Sequence, residues 1–251
     1  MNKNIFINEF SKLKRTLLVY LCVGSPLIIS CIIFLYFFVD DGTVMAQVVG
    51  SRWLFFAELL QTYWGIFFLP LFVTLQTALL AGIEHNGKMW KLLYVQPVRK
   101  LDILSAKILT ALIVVGVSQA LLLPMTLVGG ILLRRFNPAL GFEPVAPLSQ
   151  IILLNLSVYG LSLIIISLHA WVSLKWESFV TAVSFGIIAT VSGVIVVNSR
   201  IAVYYPWAMP GLIANHFFEV DFPWANLGYS LGLSIIILLA GLLDLIKKET
   251  Y

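Results

Sequence analysis

A chain of 251 residues that is 60% hydrophobic and only 11% charged is not a water-soluble domain, for which about 25% charge is usual. Its net charge of +4 comes from basic residues set beside apolar runs, where they act as orientation signals and give no case for a nucleic-acid partner. The length is that of one membrane domain with short loops and no large domain outside the lipid.

In chain order, residues 1–16 come first. Phe6, Phe10, Leu13 and the following Leu17 recur at helical spacing, with Lys3, Lys12 and Lys14 among the polar positions. This predicts an amphipathic helix lying in the inner interface; the alternative is a frayed tail that supplies positive charge. The run 17–39 follows. It is too long for a secretory signal core and no cleavage site follows it. A hydrocarbon core about 30 Å thick takes about 20 helical residues to cross, and five more runs meet that length: 53–83, 108–133, 151–174, 179–198 and 225–246. All should be helices, because backbone groups in lipid must be paired within their own segment. The second run is long, so it should tilt, kink at Pro70, or begin as an interfacial turn near Glu58. The third should bend at Pro124. Cys22 and Cys31 are nine residues apart on one helix, so they face opposite ways and cannot bridge.

Twelve of the sixteen Lys and Arg residues fall in the segments on the side of the N-terminus, which predicts that both termini are cytoplasmic. Two loops are more than linkers. The inner loop 84–106 holds a short amphipathic pattern over 87–95, with Trp90, Leu93 and Tyr94 on one side and Lys88 and Lys91 on another, stopped by Pro97. It suits docking of another protein, or is a solvated turn that holds topology. The outer loop 199–224 is aromatic and nearly uncharged. Its Tyr204, Tyr205, Trp207, Phe217 and Phe218, broken by Pro206 and Pro210, should sit in the outer interface as an aromatic belt or dip partly into the membrane as a re-entrant segment.

Polar side chains at helical spacing mark three spans. They are Glu58, Thr62, Gly65, Leu69, Phe72 and Gln76 in the second, Asn155, Tyr159, Ser162, Ile166, His169 and Ser173 in the fourth, and Thr181, Ser184, Ile188, Ser192, Ile195 and Ser199 in the fifth. Facing lipid is costly for such groups, so these rows should look inward. Glu58, Thr62, Gln76, Thr181, Ser184 and Ser192 are candidates for a substrate path. Asn155, Tyr159, Ser162 and His169 form an intramembrane polar face. The alternative is interhelical hydrogen bonding between packed helices, which is the better account of the Ser and Thr residues. Gly228 and Gly232 form a GxxxG that permits close helix approach.

Other chemistry is missing. Gly82 to Lys88 looks like the start of a phosphate-binding loop, but Met89 stands where a hydroxyl should reach magnesium, and a membrane helix precedes it in place of a strand. His85, His169 and His216 lie on separate elements and make no metal site. No G-x-S-x-G nucleophile elbow occurs.

Glu84, Gly87, Leu92, Leu93, Pro97 and Lys107 stand where permeases of ABC-2-type transporters carry a glutamate ending the second span, a short coupling helix, a proline and a basic residue entering the third. The chain resembles that family over nearly its whole length. The wording Trp90-Lys91-Leu92-Leu93 before Gln96-Pro97, and Tyr205 to Pro210 outside, is similar to the lantibiotic-immunity and bacitracin-export branch. The resemblance implies an all-α permease of six transmembrane helices in a bacterial cytoplasmic membrane, with an N-terminal interfacial helix and a cytoplasmic coupling helix. It would form half of a pore with a second permease, identical or paralogous, amid membrane lipid. Separate ABC ATPase subunits would dock at Glu84, Gly87, Lys88, Trp90, Lys91, Leu92, Leu93, Tyr94 and Pro97. ATP and magnesium would reside on those subunits, with no cofactor and no catalytic residue on this chain. The cargo would be a hydrophobic peptide antibiotic or a lipid-like compound, expelled along the second and fifth spans. The competing readings are an ion-coupled transporter or channel and a non-transporting scaffold. The first usually places paired charges at the midplane, and this chain has none that deep.

Overall fold

The computed structural model describes residues 3–14, 16–86, 98–218 and 221–247. Gly87, Lys88, Trp90, Lys91, Leu92, Leu93, Tyr94 and Pro97 lie outside the described residues. The described residues form helices and connecting turns with no strand. Six helices are long and apolar enough to cross a membrane: Leu17–Val39, Arg52–His85, Lys100–Phe136, Leu148–Lys175, Phe179–Val196 and Trp224–Lys247, called spans 1 to 6 here. The protein is a six-helix bundle. A preceding helix, Lys3–Leu13, packs against span 3.

Spans 2 and 4 form the centre. In each, 61% of the apolar window is buried, against 28%, 28% and 22% for spans 1, 5 and 6, so those three make the periphery. Span 1 buries one seam, Leu18, Cys22, Pro26, Ile29, Ile33 and Phe37, against span 3. Cys22 is buried on that seam and Cys31 is exposed, as their spacing requires.

Helix ends are settled by local polar groups. Asn137 donates its amide to the carbonyls of Phe37 and Asp40 (3.3 and 2.8 Å), closing the end of span 1 where carbonyls lack intrahelical partners. Ser178 caps span 5 by accepting the Thr181 N–H at 3.2 Å.

Span 2 changes its winding along its length. Arg52–Tyr63 is α-helical, Trp64–Phe68 is a π-helical turn, and Leu69–Asn86 resumes the α-helix. Pro70 has no N–H to give to the carbonyl one turn back, and the wide turn absorbs that missing bond. The expected irregularity at Pro70 therefore lies just before it. Span 3 begins at Lys100, eight residues ahead of the apolar run, because the far arm of the 84–106 loop is already helical. It runs as one helix through Pro124.

The aromatic segment between spans 5 and 6 dips into the bundle. Trp207, Ala208, Met209, Pro210 and Gly211 are buried, and a short helix, Met209–Asn215, leads the chain back. The Trp207 ring packs edge-on against Phe185 at 5.9 Å. Phe185 is eleven residues from the end of span 5, about 16 Å down its length. Close backbone contact makes room for this wedge. A Cβ on Gly65, in the π turn, would meet Gly211 N at 2.7 Å and Pro210 C at 2.9 Å, and one on Gly193 would meet Trp207 C at 3.0 Å. Gly228 and Gly232, by contrast, have nothing within 4 Å of where their Cβ would be. The GxxxG closeness is not used within this chain; the intimate crossings fall at other glycines.

Candidate functional site

A polar spine joins spans 2, 3 and 4. Gln119 is its hub: its Oε1 accepts from Trp64 Nε1 at 2.6 Å, and its Nε2 donates to Gln61 Oε1 and to the Asn155 carbonyl, each at 3.0 Å. Asn155 Nδ2 donates back to the Gln119 carbonyl at 3.0 Å. Further along span 4, Tyr159 donates to the Leu112 carbonyl at 2.9 Å and Ser162 to the Tyr159 carbonyl at 2.7 Å. Ser173 donates to Thr77 Oγ1 at 3.2 Å. His169 is fully buried, and Trp207 of the re-entrant segment donates its indole N–H to His169 Nε2 at 3.2 Å. That acceptor role assigns the imidazole proton to Nδ1. The span 4 row thus lies inside: Asn155, Tyr159 and Ser173 are tied to neighbouring helices and His169 to the re-entrant segment, while Ser162 bonds its own helix.

The span 2 row is inside as well. Glu58 is half-buried and its carboxylate accepts the Phe218 N–H at 3.1 Å, holding the return of the re-entrant segment. Thr62 lies under Gly211. Gln76 is only 2% exposed.

The span 5 row runs opposite to expectation. Thr181 and Ser184 are exposed and Ser192 is half-buried. The buried face is Ala182, Gly186, Ala189, Thr190 and Gly193. Size decides this: a Cβ on Gly186 would collide with Thr74 of span 2, so only the smallest residues fit there. The outward hydroxyls tolerate an apolar surrounding by bonding their own helix; Ser192 donates to the Ile188 carbonyl at 2.8 Å.

Between spans 2 and 5 runs an apolar furrow that the polar rows do not predict. One cavity of about 360 Å³ is lined by Phe67, Leu71, Leu75, Val183, Ile187 and Val191 with Thr74 and Thr190. A second, of about 260 Å³, follows in line between Leu79, Gly82, Ile83 and Phe179, closed by Thr16, Leu17 and Leu18. The lining steps by four, through 67, 71, 75, 79 and 83 on span 2 and 179, 183, 187 and 191 on span 5, so each wall is one ridge of its helix. Sixteen residues of helix make the furrow about 24 Å long, most of a hydrocarbon core about 30 Å thick. Its flank is open: Phe67, Ile187 and Val191 are 45%, 45% and 50% exposed.

Below the furrow four charges meet. Glu84 and Lys107 are each 1% exposed, Glu9 is 3% and Lys12 is 30%. Lys12 lies 2.6 Å from Glu9 Oε1 and 2.9 Å from Glu84 Oε1; Lys107 lies 2.9 Å from Glu9 Oε2 and 2.6 Å from Glu84 Oε2. Burial alone would lower the Lys12 ammonium, but its hydrogen bonds to Glu9 and Glu84 outweigh that and hold it above its ordinary value. The Glu84 carboxylate therefore points into the protein at the root of the loop, so it is no outward contact for a docking subunit. Glu9 escapes a reading that follows only apolar spacing, yet it lies between Phe6 and Leu13 on the same helical face as Phe10.

Six long apolar helices with a re-entrant wedge among them define a multi-pass membrane protein. The family model described as ABC-2 family transporter protein matches residues 5–193. The chain belongs to that family, and is a permease component of an ABC transporter. The match takes in the interfacial helix, the first four spans and nearly all of the fifth, and stops ahead of the re-entrant segment. Comparison with curated proteins and with solved structures finds no match.

Proposed function

We propose that this permease expels a hydrophobic peptide or a lipid-like compound, such as a peptide antibiotic, from a bacterial plasma membrane. The furrow between spans 2 and 5 carries the reading. It is apolar along its length, crosses most of the membrane, and opens sideways, which suits a cargo that is already in lipid. A sugar or an ion would find only Thr16, Thr74 and Thr190 to replace its water. The outward row of Thr181, Ser184 and Ser192 beside the furrow suits cover by a second permease, identical or related. Both termini are cytoplasmic on the basic-residue distribution, which puts the 84–106 loop where separate ATPase subunits reach it, gripping Lys88, Trp90, Lys91, Leu92, Leu93 and Tyr94. ATP and magnesium stay on those subunits. Nucleotide drives transport by favouring one arrangement of the spans over another; equal binding to both would shift nothing.

Ile187→Trp is expected to fill the furrow and cut ATP-driven efflux of a fluorescent lipopeptide by about tenfold, roughly 1.4 kcal/mol on the transport barrier. The ATPase should still copurify. Efflux at the native rate in that variant would rule the furrow out as the path. Trp90→Ala and Leu93→Ala should do the reverse, reducing coupling while the permease stays in the membrane with its furrow intact.

A further inference from the structure

The furrow between spans 2 and 5 has a length and a volume that together limit what can lie in it. It is about 24 Å long, and its two cavities hold about 360 and 260 Å³. A hydrocarbon tail advances about 1.25 Å per carbon, from bonds about 1.5 Å long set at tetrahedral angles, so about 19 carbons span that length. A methylene group takes about the room of a water molecule, about 30 Å³, so the two cavities together hold about 20 of them. Length and volume agree on one tail and not two. A second tail on the same head would hang outside, at the flank that a second permease covers.

Polarity separates a tail from a peptide. An extended peptide rises about 3.4 Å per residue, so about seven residues would fill the furrow and bring about fourteen backbone N–H and C=O groups with them. The lining offers the hydroxyls of Thr74, Thr190 and Thr16, and each has already given its proton away. Thr74 donates to the Pro70 carbonyl at 2.8 Å, Thr190 to the Gly186 carbonyl at 2.7 Å and Thr16 to the Leu13 carbonyl at 2.7 Å. None is left to donate to a peptide carbonyl, and a buried group without a partner costs about 1–3 kcal/mol. A hydrocarbon tail brings no such groups.

The lower end places the head. The cavity there is bounded by Thr16 and by Phe179, the first residue of span 5, on the side that the basic residues mark as cytoplasmic. Lys14 is exposed two residues before Thr16, and the start of span 5 carries the positive end of a helix dipole. Glu177, also exposed, opposes them. A lysine and a helix end against one carboxylate suit an anionic head.

We propose that the furrow binds the hydrocarbon tail of an anionic one-chain amphiphile from the inner leaflet, with the head at the Thr16 and Phe179 mouth and the tail end near Phe67 and Val191. This rests on the reading of the furrow as the cargo path, and within that reading it selects the lipid-like cargo over the peptide.

The test uses the full-length permease in nanodiscs of two-chain phosphatidylcholine. The probes are lysophosphatidylglycerols with tails of about eighteen carbons that carry a photoreactive diazirine at the sixth, eleventh or sixteenth carbon. Five carbons advance about 6 Å, close to one helical turn. The insertion site should therefore climb one rung per probe: Leu79 and Phe179, then Leu75 and Val183, then Leu71 and Ile187. These ridges should be labelled about tenfold more than Ile236 and Leu239, which are exposed on span 6. Ile187→Trp should remove the Leu71 label from the sixteenth-carbon probe and spare the sixth-carbon labels, which also shows that the variant is folded. Equal labelling of furrow and span 6 is ordinary contact with bulk lipid and overturns the proposal. So does the same ladder from a two-chain phosphatidylglycerol carrying the same diazirines, and a ladder read in reverse order overturns the placement of the head. The path reading fails separately. A full ladder with native efflux in Ile187→Trp keeps the tail site and removes the path; blocked efflux with no ladder keeps the path and removes the tail.

Discussion

Gly65→Ala should lower the thermal unfolding midpoint of the detergent-solubilised permease by roughly 5–10 °C. Its added methyl would lie 2.7 Å from Gly211 N and 2.8 Å from Gly211 Cα. These are backbone atoms, and no rotamer change can move them aside. Overpacking usually costs about 1–3 kcal/mol, and a site walled by main chain belongs at the upper end. For a chain of this length each kcal/mol moves the midpoint by about 2–4 °C. Gly211→Ala should behave alike, because its methyl would run into Ile66 and the Thr62 carbonyl. The controls are Gly228→Ala and Gly232→Ala, which meet nothing within 4 Å and should leave the midpoint in place or raise it slightly. Equal loss at all four positions would mean that the re-entrant segment does not rest on the π turn.

Gln119→Leu is the second large effect, through polar rather than steric imbalance. The change keeps the volume roughly constant but removes an acceptor from Trp64 and two donated bonds, to Gln61 and to the Asn155 carbonyl. Each buried group left without a partner costs about 1–3 kcal/mol, while interhelical bonds within membranes return closer to 0.6–2 kcal/mol each. A net loss of about 3 kcal/mol follows, again read as a fall in the unfolding midpoint. Trp64→Phe in the Gln119→Leu background removes one stranded donor and should recover part of the loss. If Gln119→Leu alone is neutral, the spine does not hold spans 2, 3 and 4 together.

Some of this was readable in advance, for physical reasons that differ by residue. The six spans were, because a helix must be long and apolar to cross lipid, and few other demands produce such runs. The span 4 row was, because Asn155 and His169 have polar groups too large to satisfy on their own helix, so they must meet neighbours. The span 5 row was misread because Ser and Thr can bond their own backbone. The true inner face, Ala182, Gly186, Ala189, Thr190 and Gly193, carries one hydroxyl among small residues, too little polarity for a pattern to detect. The furrow escaped for a related reason: Phe67, Leu71, Ile187 and Val191 are ordinary in any span, and only the pairing of two ridges makes them a channel wall. The charge ring drew on Glu84 and Lys107, which stood out, and on Glu9, which looked like one more polar residue of an interfacial helix. Its near partner Lys12 is three residues away, but Lys107 is 98 residues away in sequence, a separation that helical spacing cannot report.

The seat of the re-entrant segment has three walls, span 2 against Pro210 and Gly211 and spans 4 and 5 against Trp207, and all three precede it in the chain. The crevice is therefore built from earlier chain than the wedge that fills it. The bundle is sealed by a stretch that comes late in the sequence and is too short to cross a bilayer. Such a stretch enters and leaves on one surface, and span 6, which follows it, packs over span 4.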